Sequence, residues 1–171
     1  MPRYVVFLRG ITPMNAKMSE LKRCFEAAGF TDVRTVLGSG NVVVDSTARS
    51  EAAVERRAER AMQEGLGHVF LPIVRSTKRL RRMIDEDPFM HHRLPAKAKC
   101  VVTFLRTPKA SATPLPPAKD DVTLLRQSKG EIFTAYVPGP KGPVFMRMIE
   151  KTFGKAVTTR TWDTVRKCAD A

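Results

Sequence analysis

The apolar positions of this chain change period several times, and each change marks an element. Residues 3–9 contain the run Tyr4-Val5-Val6-Phe7-Leu8. Tyr4, Val6 and Leu8 fall on one side of an extended chain and Val5, Phe7 and Arg9 on the other, which predicts a strand. Gly10 to Met14, broken by Pro13, reads as a loop. From about Asn15, a good N-cap residue, Met18, Leu21, Phe25 and Ala28 recur at helical spacing until Gly29 ends the helix. Two β-branched runs, 33–37 and 41–45, then flank Gly38-Ser39-Gly40 and predict a hairpin. Ser50 caps a second helix carrying Val54, Ala58, Ala61 and Met62, and Gly65 and Gly67 end it. Its outer face, with Glu51, Glu55, Arg56, Glu59 and Arg60, reads as a solvated ion-pair surface. A strand from about Val69 to Arg75 completes the order β-α-β-β-α-β, the ferredoxin-like arrangement.

Beyond it, Ser76 caps a short helix with Leu80, Met83 and Ile84 inside and Lys78, Arg79, Arg81 and Arg82 outside. Asp87-Pro88 stops it, and residues 88–98 read as a connector. Lys99 to Arg106 predicts a strand, and the Pro-rich stretch Thr107 to Lys119 an extended, mobile loop. Residues 122–126 and 131–137 pair through a turn at Gln127-Ser128-Lys129-Gly130. After Pro138-Gly139 a helix carries Phe145, Met148, Ile149 and Thr152 and ends at Gly154; a last short helix carries Trp162, Val165 and Ala169. No internal sequence repeat is visible. The pattern predicts an α+β protein: a ferredoxin-like lobe over residues 1–75, a helix and connector over 76–98, and a smaller α/β lobe of hairpin and helices over 99–171.

The glycines of the first hairpin are not a phosphate loop. A P-loop places GxxxxGK[ST] between a strand and a helix, and here two strands flank the glycines with no lysine after them. A GxGxxG opening a helix is also absent. The topology nonetheless gathers residues at one sheet edge: the end of the first strand, the hairpin turn and the start of the first helix. Arg9, Gly10, Asn15, Ser39, Gly40 and Asn41 converge there, with His68 on the same edge. Free helix amides and the positive dipole end suit an anion or small ligand. The competing reading is that Arg9 and Asn41 tie two loops together.

Composition narrows the classes. An apolar share of 43% suits a globular core, and the longest apolar runs fall far short of a membrane span. The N-terminus starts directly on the strand run with no signal-peptide pattern, so a soluble, cytoplasmic protein without a membrane partner is expected. Three widely spaced cysteines, Cys24, Cys100 and Cys168, give neither a disulfide framework nor a CxxC site and read as buried thiols. The net charge is +13, and residues 99–171 supply +7 of it. Such a balance favours polyanionic partners, nucleic acid or a phosphorylated small molecule; the alternative is a solvated basic surface.

Few residues offer reaction chemistry. Arg160 and Trp162 straddle the start of the last helix, which Thr158 or Thr159 would cap. A guanidinium there suits a phosphate or carboxylate, and the single tryptophan either stacks on a ring or anchors the core. His91-His92 lacks Cys, Asp or Glu at ligand spacing, so no metal is expected. No catalytic triad or acid–base carboxylate pair is defensible from spacing, and no cofactor is implied. Central-strand aromatics of the RNA-recognition kind are missing: the third strand offers Val42, Val43 and Val44. Nucleic-acid binding would therefore be electrostatic, through Lys78, Arg79, Arg81, Arg82 and the basic C-terminal part.

The stretches "YVVFLRGI", "MSELKRCFEAAGFTDVRTVLGSGNVVVDS", "PIVRS" and "TTRTWDTVRKCA" resemble the bacterial family known only as domain of unknown function 1697. Members of that family typically carry an LLRGINVGG-like loop, a (Q)SGNV hairpin and a TRNWNT segment. Arg9, Gly10 and Ile11 match the first motif, while Thr12-Pro13-Met14 replaces Asn-Val-Gly. Ser39, Gly40 and Asn41 match the second, with Gly38 in place of glutamine. Thr159, Arg160, Trp162 and Thr164 match the third, with Thr161 and Asp163 in place of asparagines. The resemblance implies an α+β fold with a ferredoxin-like N-terminal half and implies no reaction. Three functions stay open: a non-catalytic binder of a polyanion such as nucleic acid, a small-molecule binder or enzyme using Arg9, Asn15, Ser39, Asn41 and Arg160, and a protein-interaction module.

Overall fold

The computed structural model describes residues 1–108, 121–139 and 144–171. The chain is α+β, with two antiparallel sheets and, among the described residues, five helices. It divides into two compact units, Met1–Arg82 with Thr164–Ala171, and Met83–Asp163.

The first unit contains β1 (Arg3–Leu8), α1 (Met18–Ala27), β2 (Thr31–Val36), β3 (Asn41–Asp45), α2 (Glu51–Leu66) and β4 (Pro72–Ser76). Its sheet runs β2-β3-β1-β4, antiparallel throughout, consistent with the ferredoxin-like arrangement. Tyr4, Val6, Leu8, Val42, Val44 and Val74 pack on Leu21, Phe25, Val54, Ala58 and Met62 of α1 and α2. Residues of opposite parity, Val5, Phe7, Val43 and Ile73, are also fully buried. The unbroken apolar runs of β1 and β3 thus belong to a sheet covered on both faces.

Local chemistry explains the element ends. The Ser50 hydroxyl accepts from Ala53 N at 3.1 Å, and Gly67 closes α2 in the left-handed region at φ 68°. Gly65 lies inside α2, where a Cβ would come 2.8 Å from Cys24 Sγ, so it lets the two helices approach. Asn15 is not the cap of α1. The helix starts at Met18 with Lys17 as N-cap and no side-chain capping bond, because Asn15 is bound into the preceding loop. β4 starts at Pro72, later than the expected Val69. Its backbone is covered from α2: Glu55 Oε1 accepts from Val74 N at 3.1 Å and Glu51 Oε1 from Ser76 N at 3.0 Å. Two glutamates expected on the solvated face of α2 instead serve this outer strand.

The second unit contains β5 (Lys99–Leu105), β6 (Val122–Gln127), β7 (Glu131–Tyr136), α4 (Val144–Phe153) and β8 (Val157–Thr161). The sheet order is β6-β7-β5-β8. α4 lays Phe145, Ile149 and Phe153 on Val101, Leu105, Val122, Leu124, Ile132 and Val157. β8 occupies residues where a helix cap was expected; Thr158 and Thr159 are mid-strand, and α5 (Trp162–Asp170) starts directly after Thr161. α3 (Thr77–Glu86) and α5 each begin in one unit and end in the other. The Pro-rich stretch expected as a loop, apart from Thr107 and Pro108, lies outside the described residues.

The strand order of the second unit repeats that of the first, although no sequence repeat announces it. Leu8 N donates to Gly40 O at 2.8 Å, and Leu105 N to Gly130 O at 2.8 Å. Arg9 N donates to Leu71 O and Arg106 N to Ala156 O, both at 3.0 Å. Arg75 and Arg160, both buried, are opposite Val5 and Val102 and each precedes a helix.

Candidate functional site

The sheet edge singled out by the sequence does assemble. Leu8 N donates to Gly40 O, so the loop after β1 meets the β2–β3 turn. A Cβ on Gly40 would come 2.7 Å from Ile11 Cγ1 and 3.1 Å from Leu8 O, which brings Leu8, Ile11 and Gly40 into one tight arrangement. Arg9 N reaches Leu71 O, so the start of β4 belongs to the same edge. His68 precedes it and packs edge-on against Phe70, with 4.6 Å between ring centroids.

Both asparagine amides of this edge are bound within it. Asn15 Oδ1 accepts from Thr12 N and its Nδ2 donates to Gly10 O, both at 2.8 Å, closing the loop on itself. Asn41, fully buried, donates from Nδ2 to Val36 O at 2.8 Å and to Ser39 Oγ at 3.0 Å. These are Asx-type ties that fix loop shape. The first turn of α1 carries Glu20, a carboxylate that competes with any anion at that helix end.

Arg160 and Trp162 belong to the second unit. Arg160 is 9% exposed on β8, where Nη1 donates to Thr158 Oγ1 at 2.7 Å and to Thr159 O at 2.9 Å. Arg160 and Trp162 do straddle the start of α5, but Arg160 belongs to β8, and its Nη1 is already engaged by that strand. Trp162 is 6% exposed, with ring centroids 5.1 Å from Phe89 and 6.3 Å from Phe133 in edge-on contact. The indole is thus a buried member of an aromatic cluster with Phe89 and Phe133.

The basic face of α3 is present, and its four cations differ in what they do. Arg79 Nη1 pairs with Glu51 Oε2 at 2.8 Å, and Arg81 Nη2 donates to Ala169 O at 3.0 Å. Lys78 and Arg82 are exposed and have no ion-pair or hydrogen-bond partner among the described residues. They stand four residues apart, one turn along the helix.

The sequence reading missed a second pair of this kind. Arg56 and Arg60 on α2 are exposed and also lack partners among the described residues. The signal was present in their spacing of four, but the neighbouring glutamates suggested intrahelical pairing. Glu51 and Glu55 turn toward β4 instead.

Elsewhere, a cavity of about 280 Å³ in the second unit is lined by His92, Arg93, Asp121, Thr123 and Tyr136 among others. Among the described residues no group of three or more His, Cys, Asp or Glu side chains is placed to hold a metal ion. No helix among them is long and apolar enough to cross a membrane. Burial pushes the Cys24 thiol above its ordinary range, and its Sγ donates to Ala61 O at 2.9 Å. Burial, helped by the Glu51 charge, raises the Tyr4 phenol, which donates to Ala48 O at 2.8 Å.

Comparison with known proteins gives a family and a fold and no reaction. No curated protein matches the chain. The solved structure of the conserved bacterial protein SP0830 from Streptococcus pneumoniae is similar, with a TM-score of 0.74 and 19% identity. The match covers 99% of this chain and 97% of that one, and at this identity the likeness is one of fold. A family model described as "Protein of unknown function (DUF1697)" matches residues 1–133. The chain belongs to the DUF1697 family of proteins of unknown function.

Proposed function

We propose that the protein is a non-catalytic binder of polyanionic ligands, with the phosphate backbone of nucleic acid as the leading partner. The observation that carries this reading is the uncompensated charge on α3. Lys78 and Arg82 stand one turn apart, exposed and unpaired among the described residues, on a chain of net charge +13. Like charges at this spacing repel, and a bound polyanion relieves that repulsion. Because β3 presents valines where base-stacking aromatics would be needed, contact is with phosphates and carries little sequence preference. The test is anisotropy of labelled single- and double-stranded oligonucleotides at low and physiological salt. Binding that weakens steeply with salt supports the reading, and binding indifferent to salt counts against it.

A second reading, a binder of a small phosphate- or carboxylate-bearing molecule, is favoured by the arginine groove described below. Arg9, Asn15, Ser39 and Asn41 are a weaker basis for it, because the amides of Asn15 and Asn41 already hold the loops that carry them.

A further inference from the structure

Between the end of α1 and the middle of α2 lies a groove of about 570 Å³, lined by alanines of both helices and by Arg56, Arg57, Arg60 and Glu64. Its volume is in the range of about 300–1,000 Å³ common to small-molecule sites. The three arginines are not equivalent. Arg57 is committed: Nε and Nη2 donate to Ala28 O at 3.2 and 3.0 Å, and Nη1 to Ser46 Oγ at 3.3 Å. Its guanidinium also lies over the Phe30 ring, 4.5 Å from the centroid. That arrangement offsets the carbonyl end of α1, which would otherwise repel an anion. Arg56 and Arg60 line the groove, are exposed and have no hydrogen-bond or ion-pair partner among the described residues, and Glu64, four residues past Arg60, pairs with neither.

We infer that this groove is a site for the phosphate group of a small ligand of nucleotide size. Arg56 and Arg60 take the phosphate oxygens, for which the planar guanidinium fork is well matched. Arg57 holds the floor in place. The alanine methyls face the less polar part of the ligand. This goes beyond the polyanion reading and does not depend on it, since α3 takes no part.

The test is calorimetric titration of the full chain at low ionic strength with adenosine 5′-monophosphate and, in parallel, adenosine. The monophosphate is expected to bind at least about tenfold more tightly than the nucleoside, the margin a charge-assisted bidentate contact supplies. Arg56→Ala/Arg60→Ala is expected to lose about tenfold in monophosphate affinity, Arg56→Lys/Arg60→Lys to lose less, and Lys17→Ala/Lys97→Ala, at two exposed positions outside the groove, to stay within about twofold. Single Arg56→Gln and Arg60→Gln variants give the same readout should the double variant fail to fold. Absence of monophosphate binding at millimolar concentration overturns the inference. So does equal binding of adenosine, or a loss in Lys17→Ala/Lys97→Ala as large as in the α2 variant, which would assign the binding to net charge.

Discussion

In the β2–β3 turn the left-handed backbone falls on Leu37, at φ 58°, and on Gly40, at φ 86°. Gly38 adopts ordinary φ with open space around it. Only one of the two glycines is therefore required by conformation. Gly40→Ala must both enter the left-handed region and push on Ile11 and the Leu8 carbonyl. It is expected to cost about 2 kcal/mol or more in urea unfolding, and Gly38→Ala to stay within about 0.5 kcal/mol. A hairpin was legible in this stretch because glycines between β-branched runs leave few alternatives. Leu37 in the left-handed region was not, since nothing in a leucine advertises it. Asn15 shows the same limit: an amide beside a helix start serves the loop as readily as the cap, and the choice depends on where Gly10 O falls. Two buried groups add a pH dependence. Tyr4 and Cys24 hold their protons more tightly folded than unfolded, their ordinary values being 10.0 and 9.0. The stability they contribute is present in full below those values and is lost as pH rises through the higher folded ones. The urea midpoint is expected to fall between pH 8 and pH 11, and to fall less in Tyr4→Phe; an equal fall in the variant would remove Tyr4 from the account.

At the scale of elements, the amphipathic helices and apolar strands were readable and β8 was not. Val157–Thr161 has one strongly apolar residue: Thr158 and Arg160 are buried, Thr159 is half-buried against Thr103 and Met146, and only Thr161 is exposed, a pattern with no hydrophobic signature. The β-branched run was the available signal, and it lost to the capping role threonines play before helices. α2 was placed correctly, but two of the glutamates expected in intrahelical pairs serve neighbours instead. Glu51 and Glu55 cover β4, and Arg57 closes α1. Periodicity says which face is polar and not which partner a polar group finds. Arg57→Ala removes the donors on Ala28 O and the contact with Phe30, and is expected to lower stability by about 1–3 kcal/mol. Arg56→Ala, at an exposed position without partners among the described residues, is expected to change it by under about 0.5 kcal/mol. Equal effects of the two substitutions on the urea midpoint would contradict the division of labour drawn between them.

Over the whole molecule the chain uses one strand order twice, β2-β3-β1-β4 and β6-β7-β5-β8. Both outer strands β2 and β6 carry a register shift, and the backbone bonds at the ends of β1 and β5 correspond. The sequence hides this because the matched positions differ in chemistry: Asn41, bound to Ser39, corresponds to Glu131, bound to Ser128. Net charge, by contrast, is fully legible, and the structure refines it by separating cations that pair from those that do not. Lys78 and Arg82 are the members of the α3 face without a partner among the described residues, and they carry the central proposal, that the protein binds polyanions. The most direct measurement is the salt dependence of oligonucleotide affinity for the wild-type chain and for Lys78→Ala/Arg82→Ala. If both side chains contact phosphates, the log–log slope is expected to become shallower by about 2 in the variant, with affinity lowered similarly across sequences. An unchanged slope, or no binding by the wild-type chain at low salt, would contradict the account.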